Sequence, residues 1–111
     1  GRFCFGDNAE YATYFAACNS RQAPAVAHHM PNFNGLFDMH GGLWECTDSR
    51  FPPDLVADQT IPDDQKRDLY VLRGGAYYLA AVRCRSAQRN YSTFWMPDTY
   101  RGFRIVMEDH R

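Results

Sequence analysis

Two carboxylates, Asp38 and Glu45, flank the glycine-bearing stretch Asp38-Met39-His40-Gly41-Gly42-Leu43-Trp44-Glu45. Carboxylates separated by a turn with free backbone carbonyls form the donor set that a hard, oxygen-seeking cation takes, and calcium is the natural candidate. The same residues also allow a plainer use, in which Asp38 caps the turn and Glu45 pairs with an arginine such as Arg73 or Arg104. Four cysteines, at positions 4, 18, 46 and 84, lack the C-x-x-C spacing of zinc or thioredoxin sites and the C-x-x-C-H of haem attachment. A metal cluster or covalent haem is therefore not expected. An even cysteine count permits two disulfides in three connectivities, leaves four free thiols open, and leans towards a periplasmic or other extracytoplasmic compartment. His28, His29 and His40 are of the type that ligates iron or zinc, but they read better as loop or surface histidines. Asp109-His110 has no serine or cysteine motif to serve.

The elements that must position these residues are short. Residues 7 to 19 carry the one helical signal: Asp7 and Asn8 are good N-caps, and Tyr11, Tyr14, Phe15 and Cys18 recur at helical spacing. Strands are expected at Leu43–Thr47, Tyr70–Leu72, Val82–Ala87 and Gly102–Met107, each a brief apolar or β-branched run. Two loops separate them, Arg21 to Asn34 with Pro24 and Pro31, and Asp48 to Asp68 with Pro52-Pro53 and Pro62. With 111 residues the chain holds one domain at most. No apolar run approaches the ~20 residues of a membrane span, and Gly1-Arg2-Phe3-Cys4 does not read as a signal peptide, so a soluble chain is expected. A net charge of -1 offers no general attraction to nucleic acid or anionic lipid.

Aromatic residues are numerous, and Tyr77, Tyr78, Tyr91, Phe94, Trp95 and Tyr100 crowd into the last third. Such side chains give a large contact area at low entropy cost, so they suit a recognition face; the bland use is completion of the core. Among the basic residues Lys66 is the only lysine, and Arg73, Arg85, Arg89 and Arg104 suit the tying together of loops by planar, multiply bonding guanidinium groups.

The blocks Gly35-Leu36-Phe37-Asp38-Met39-His40-Gly41-Gly42-Leu43-Trp44-Glu45, Leu72-Arg73-Gly74-Gly75-Ala76-Tyr77, Arg85-Ser86-Ala87-Gln88-Arg89 and Gly102-Phe103-Arg104 occur in this order. Together they resemble the C-terminal half of the formylglycine-generating enzyme, or sulfatase-modifying factor, family. The resemblance implies an α+β, loop-rich, C-type-lectin-like fold, and it covers essentially all of the chain but only the second part of the family domain. It further implies calcium held by the Asp38 side chain, the Gly41 and Leu43 carbonyls and the Glu45 carboxylate, with Gly42 standing where the family commonly has Asn. The family's ligand face would hold the aromatic cluster. The Cys84 position carries, in some members, a structural cysteine bonded to one in the first half, so a disulfide partner would lie off this chain; a buried thiol is the alternative.

Gly1 to Asp7 resembles a segment from the middle of that domain. A portion of a longer polypeptide is therefore expected, with apolar surface covered by the missing N-terminal half or by another protein subunit. The copper-binding cysteine pair of the oxidase has no counterpart in Tyr77–Arg83, and without soft thiolate donors copper is not expected. The resemblance thus implies a non-catalytic or degenerate, calcium-stabilised binding or structural module. The alternatives are a subunit of an active oxidase or of an iron-dependent sulfoxide synthase, and a ligand-binding variable protein of a diversity-generating retroelement.

Overall fold

The computed structural model describes residues 1–93, 100–105 and 107. Its frame is a four-stranded sheet in the order β3-β2-β1-β4, with β1 at Trp44–Arg50, β2 at Tyr70–Arg73, β3 at Arg89–Ser92 and β4 at Arg101–Gly102. β1 runs antiparallel to β2, with Glu45 opposite Arg73 and Cys46 opposite Leu72, and parallel to β4, with Trp44 opposite Arg101. β2 and β3 pair without interruption from Tyr70↔Ser92 to Arg73↔Arg89.

Side chains alternate across a strand, and β2 buries both faces. Val71 joins Phe51, Val56 and Leu69 on one side, whereas Leu72 joins Trp44 and Ala76 on the other. The long loop after β1 does the covering on the first side: two single-turn 3-10 helices, Pro53–Leu55 and Lys66–Asp68, fold Val56 and Leu69 onto the sheet. Proline fits the first turn of such a helix because its missing N–H would be unbonded there anyway.

The expected helix is shorter than its spacing suggests. A 3-10 turn, Ala9–Tyr11, leads into α1, Ala12–Phe15, with Asn8 Oδ1 accepting the Glu10 N–H at 2.9 Å. Tyr11 and Tyr14 point to solvent, and the buried residues are Ala12, Ala16 and Ala17. Small side chains win this face because Ala17 must form a backbone bridge to Gly41.

Two of the four expected strands are corrected. Val82–Ala87 is not extended; Ala81–Cys84 is a 3-10 turn that buries Cys84, and the strand begins later, at Arg89. The partner of β2 is chosen by register, which places Arg89 opposite Arg73. Among the described residues of Gly102–Met107 only Gly102 is in a strand; Phe103, Ile105 and Met107 lie 81%, 89% and 93% exposed. Among the described residues no helix is long and apolar enough to cross a membrane.

Candidate functional site: a carboxylate–arginine loop beside a tyrosine face

The loop before β1 turns through left-handed backbone at Asp38 (φ 58°), Gly41 (φ 74°) and Gly42 (φ 72°). At Gly41 the requirement is steric as well as conformational, since a Cβ there would lie 1.9 Å from the Ala17 carbonyl oxygen. The turn carries Glu45 to Arg104. The guanidinium spans the carboxylate, with Nε on Oε1 and Nη2 donating to Oε2 at 2.9 Å. Nη2 also donates to the Phe37 carbonyl at 2.9 Å and to that of Asp38 at 3.2 Å. The hydrogen bonds to Glu45, with the added charges of Glu45 and Asp38, raise the Arg104 pKa above its usual value. Arg73, the directly cross-strand residue, donates instead to the Ala87 carbonyl at 3.1 Å.

Asp38 is tied to the upstream loop and not to the glycine turn it opens: its Oδ2 accepts the Ala27 N–H at 2.8 Å. Its Oδ1, however, is buried with no hydrogen-bond partner. An orphaned carboxylate oxygen fits a cation, and two carboxylates against one guanidinium leave a net negative charge at the loop. Glu45 and the Phe37 and Asp38 carbonyls are shared with Arg104, so a metal there has to share them too. Among the described residues no group of three or more His, Cys, Asp or Glu side chains is arranged to hold a metal. The loop floors an apolar-walled cleft of about 420 Å³ whose sides include Val26, Phe37, Leu43 and Phe103.

His40, expected as a loop or surface histidine, lies in the loop but is buried, 3% exposed. Its Nε2 accepts the Cys4 N–H at 2.8 Å, which leaves Nδ1 as the protonated nitrogen, donating to the Cys84 carbonyl at 2.7 Å. Phe3 and Phe5 pack edge-on against the ring at 5.5 and 5.6 Å. Burial lowers its pKa, opposed in part by the Cys84 carbonyl. The only signal for this role was its place in the glycine turn, between residues that must pack closely. His28 and His29 are loop residues as expected, one exposed and one partly buried, with rings 5.2 Å apart.

The aromatic cluster divides. Tyr77, Tyr78 and Tyr100 come together, with ring centroids 5.9 Å apart for Tyr77–Tyr78, 6.0 Å for Tyr77–Tyr100 and 4.6 Å for Tyr78–Tyr100. Backbone bonds hold them in place: Tyr77 N donates to the Gly42 carbonyl at 2.6 Å, and Trp44 N to that of Tyr100 at 2.7 Å. Tyr78 and Tyr100 are 45% and 42% exposed. Tyr91 is a correction, because β3 turns it onto Phe51, 4.8 Å away, where it joins the core beside Val71. Phe94 and Trp95 lie outside the described residues. All four cysteines are free thiols.

Comparison with known proteins agrees with this architecture. Residues 5–109 match the model of a family described as the sulfatase-modifying factor enzyme 1-like domain. The solved structure of Treponema denticola variable protein 1 is similar over 88% of this chain, with a TM-score of 0.71 and 22% sequence identity. The matched region spans 37% of that protein's chain. The search of curated proteins returned no match. The fold is α+β and C-type-lectin-like, with a curled sheet, one short helix and many loops.

Proposed function

The chain belongs to the sulfatase-modifying factor enzyme 1-like family, and from that membership we propose that it acts as a non-catalytic binding and structural module whose recognition face is Tyr77, Tyr78 and Tyr100. The observation that carries this is the clustering of three tyrosine rings on backbone anchored to both the glycine loop and β1, with two of them substantially exposed. Rigid, amphipathic rings supply contact area without a large ordering cost. The fold neighbour is by its name a variable protein; the resemblance to variable proteins of diversity-generating retroelements implies ligand-facing variable residues between the blocks Arg73-Gly74-Gly75 and Gly102-Phe103-Arg104, where all three tyrosines fall. That favours ligand binding over catalysis. So does the absence of cysteine between Tyr77 and Arg83, which removes the oxidase's thiolate pair.

Calcium belongs to the same proposal. The Asp38 side chain, the Gly41 and Leu43 carbonyls and Glu45 would hold the ion, and it would supply structural charge to the loop that carries the tyrosine face. The apolar walls of the adjoining cleft, with Val26 90% and Phe103 81% exposed, suit burial against the remainder of a larger polypeptide or another subunit.

Selection from a displayed peptide library on the immobilised protein tests the binding face. Peptides that bind are expected to lose at least tenfold in affinity to the Tyr78→Ala/Tyr100→Ala variant. Selected peptides that bind the variant as tightly as the parent place recognition elsewhere, and conversion of a peptide cysteine to formylglycine with added copper and oxygen overturns the non-catalytic part.

A further inference from the structure

We propose that Cys18 and Cys84 are the two halves of a disulfide that locks the segment after α1 against the Gly74–Gly75 turn, formed by exchange with a small-molecule disulfide. Both thiols are free in this structure, and the backbone brings them to one place. Ala17 is bridged to Gly41, and Gly42 N donates to the Ala17 carbonyl at 2.9 Å. Gly41 N donates in turn to the Gly74 carbonyl at 2.6 Å. The Cys84 sulfur lies against the next residue, Gly75, so closely that a Cβ there would come within 2.6 Å of it. The Cys84 thiol donates to the Ala76 carbonyl, one residue beyond that turn, at 3.6 Å. Beyond Cys18, Asn19 N donates to the Leu79 carbonyl at 2.9 Å and Ser20 N to that of Tyr77 at 2.8 Å. Cys18 is thus flanked by Ala17, fastened to the glycine loop, and by Asn19 and Ser20, fastened to the loop that leads into Cys84.

Burial pushes the Cys84 thiol up to about 11, and the Cys18 charge adds to the rise. The other two cysteines are occupied differently. The His40 ring lies between the Cys4 and Cys84 backbones, accepting from one and donating to the other. Cys46 packs on β1 against the Trp44 cluster.

The order of events follows from access. Cys18 is only partly buried and lines an open cleft, whereas Cys84 is fully buried. The Cys18 thiolate attacks a small disulfide RSSR, forming Cys18–S–SR and releasing RS⁻. Deprotonated Cys84 then attacks the Cys18 sulfur, the protein S–S bond forms, and the second RS⁻ leaves. Two protein thiols are oxidised and RSSR is reduced to two RSH once the thiolates take up protons. Such a bond persists in an oxidising compartment.

The test uses the full chain incubated with oxidised glutathione, quenched, alkylated under denaturing conditions and mapped by mass spectrometry. A cross-linked peptide containing Cys18 and Cys84 is expected, forming faster as the pH rises from 7 towards 9, because burial raises the pKa of both thiols. Reduction is expected to lower the melting temperature of the parent and to leave that of Cys18→Ser unchanged; this variant alters the accessible partner and spares the buried one. Four alkylated cysteines, glutathione retained on Cys18 alone, or Cys84 joined to Cys4, to Cys46 or to a cysteine outside this chain would each overturn the proposal.

Discussion

A histidine whose two ring nitrogens both face backbone partners has no room for a second proton. In His40 the Nε2 lone pair is taken by the Cys4 N–H, so an imidazolium would set N–H against N–H in a buried place. Its pKa lies below the usual 6.5 in the folded protein. The unfolded chain therefore takes up this proton first as the solution is acidified. The stabilising contribution is complete above about pH 6.5 and is lost as the pH falls through the lower folded value. Urea unfolding at pH 7.5 and pH 5.5 is expected to show lower stability at the acid end. In His40→Gln that dependence is expected to flatten, at a cost of about 1–3 kcal/mol from the lost Cys84 bond. An acid slope unchanged in the variant would assign the effect to other groups.

At the scale of elements, the glycine loop and the β4 end are joined through Arg104. One guanidinium serves both Glu45 oxygens and the Phe37 and Asp38 carbonyls, so it closes the loop from the opposite end of the chain. The pair is partly exposed, with side-chain accessibilities of 35% for Arg104 and 18% for Glu45, and solvent screens its Coulomb attraction. The larger effect of removing Arg104 is the set of acceptors left without donors. Arg104→Leu is expected to lose about 1–3 kcal/mol in urea unfolding. Arg104→Lys is expected to recover only part, because an ammonium cannot span a carboxylate and two carbonyls with fixed planar geometry. A lysine variant as stable as the parent would reduce the interaction to its charge.

For the molecule as a whole, small cores on opposite faces of β2 stabilise the sheet, and Asp38, with its orphaned oxygen, belongs to neither. A cation that binds only the folded form adds stability by mass action, about 2.7 kcal/mol at a hundredfold excess over Kd. For a domain near this size that amounts to a melting-temperature rise on the order of 10 °C. Calorimetry with added Ca²⁺ and then EGTA is expected to show the rise and its reversal in the parent, and neither in Asp38→Ala. Identical melting in calcium and EGTA would remove calcium from the proposed function and leave Arg104 as the loop's cation. Val26, Phe103 and Ile105 are also exposed.

Local chemistry was legible from the sequence where neighbours in the chain decide the outcome. The Asp38–Glu45 turn, the strand at Tyr70–Leu72, one residue short of β2, and the Asn8 cap all follow from residue types within a few positions of one another. The family blocks likewise identified the fold, because their order reflects loops that must pack together. Partner choice was not legible. Both Arg73 and Arg104 were open to Glu45, and the nearer cross-strand residue lost. The parallel pairing of Glu45 with Gly102 places Arg104 over the carboxylate, whereas the Arg73 guanidinium reaches the Ala87 carbonyl. Tyr91 left the tyrosine face for the same kind of reason, since the β2–β3 register sets it opposite Val71 and against Phe51. His40 was buried by an N-terminal segment that folds across it from 36 residues away. Residue type and spacing along the chain determined the glycine turn, two of the strands and the family; register and packing between distant segments decided the other strands and which side chains meet, because those contacts depend on distances that no local pattern encodes.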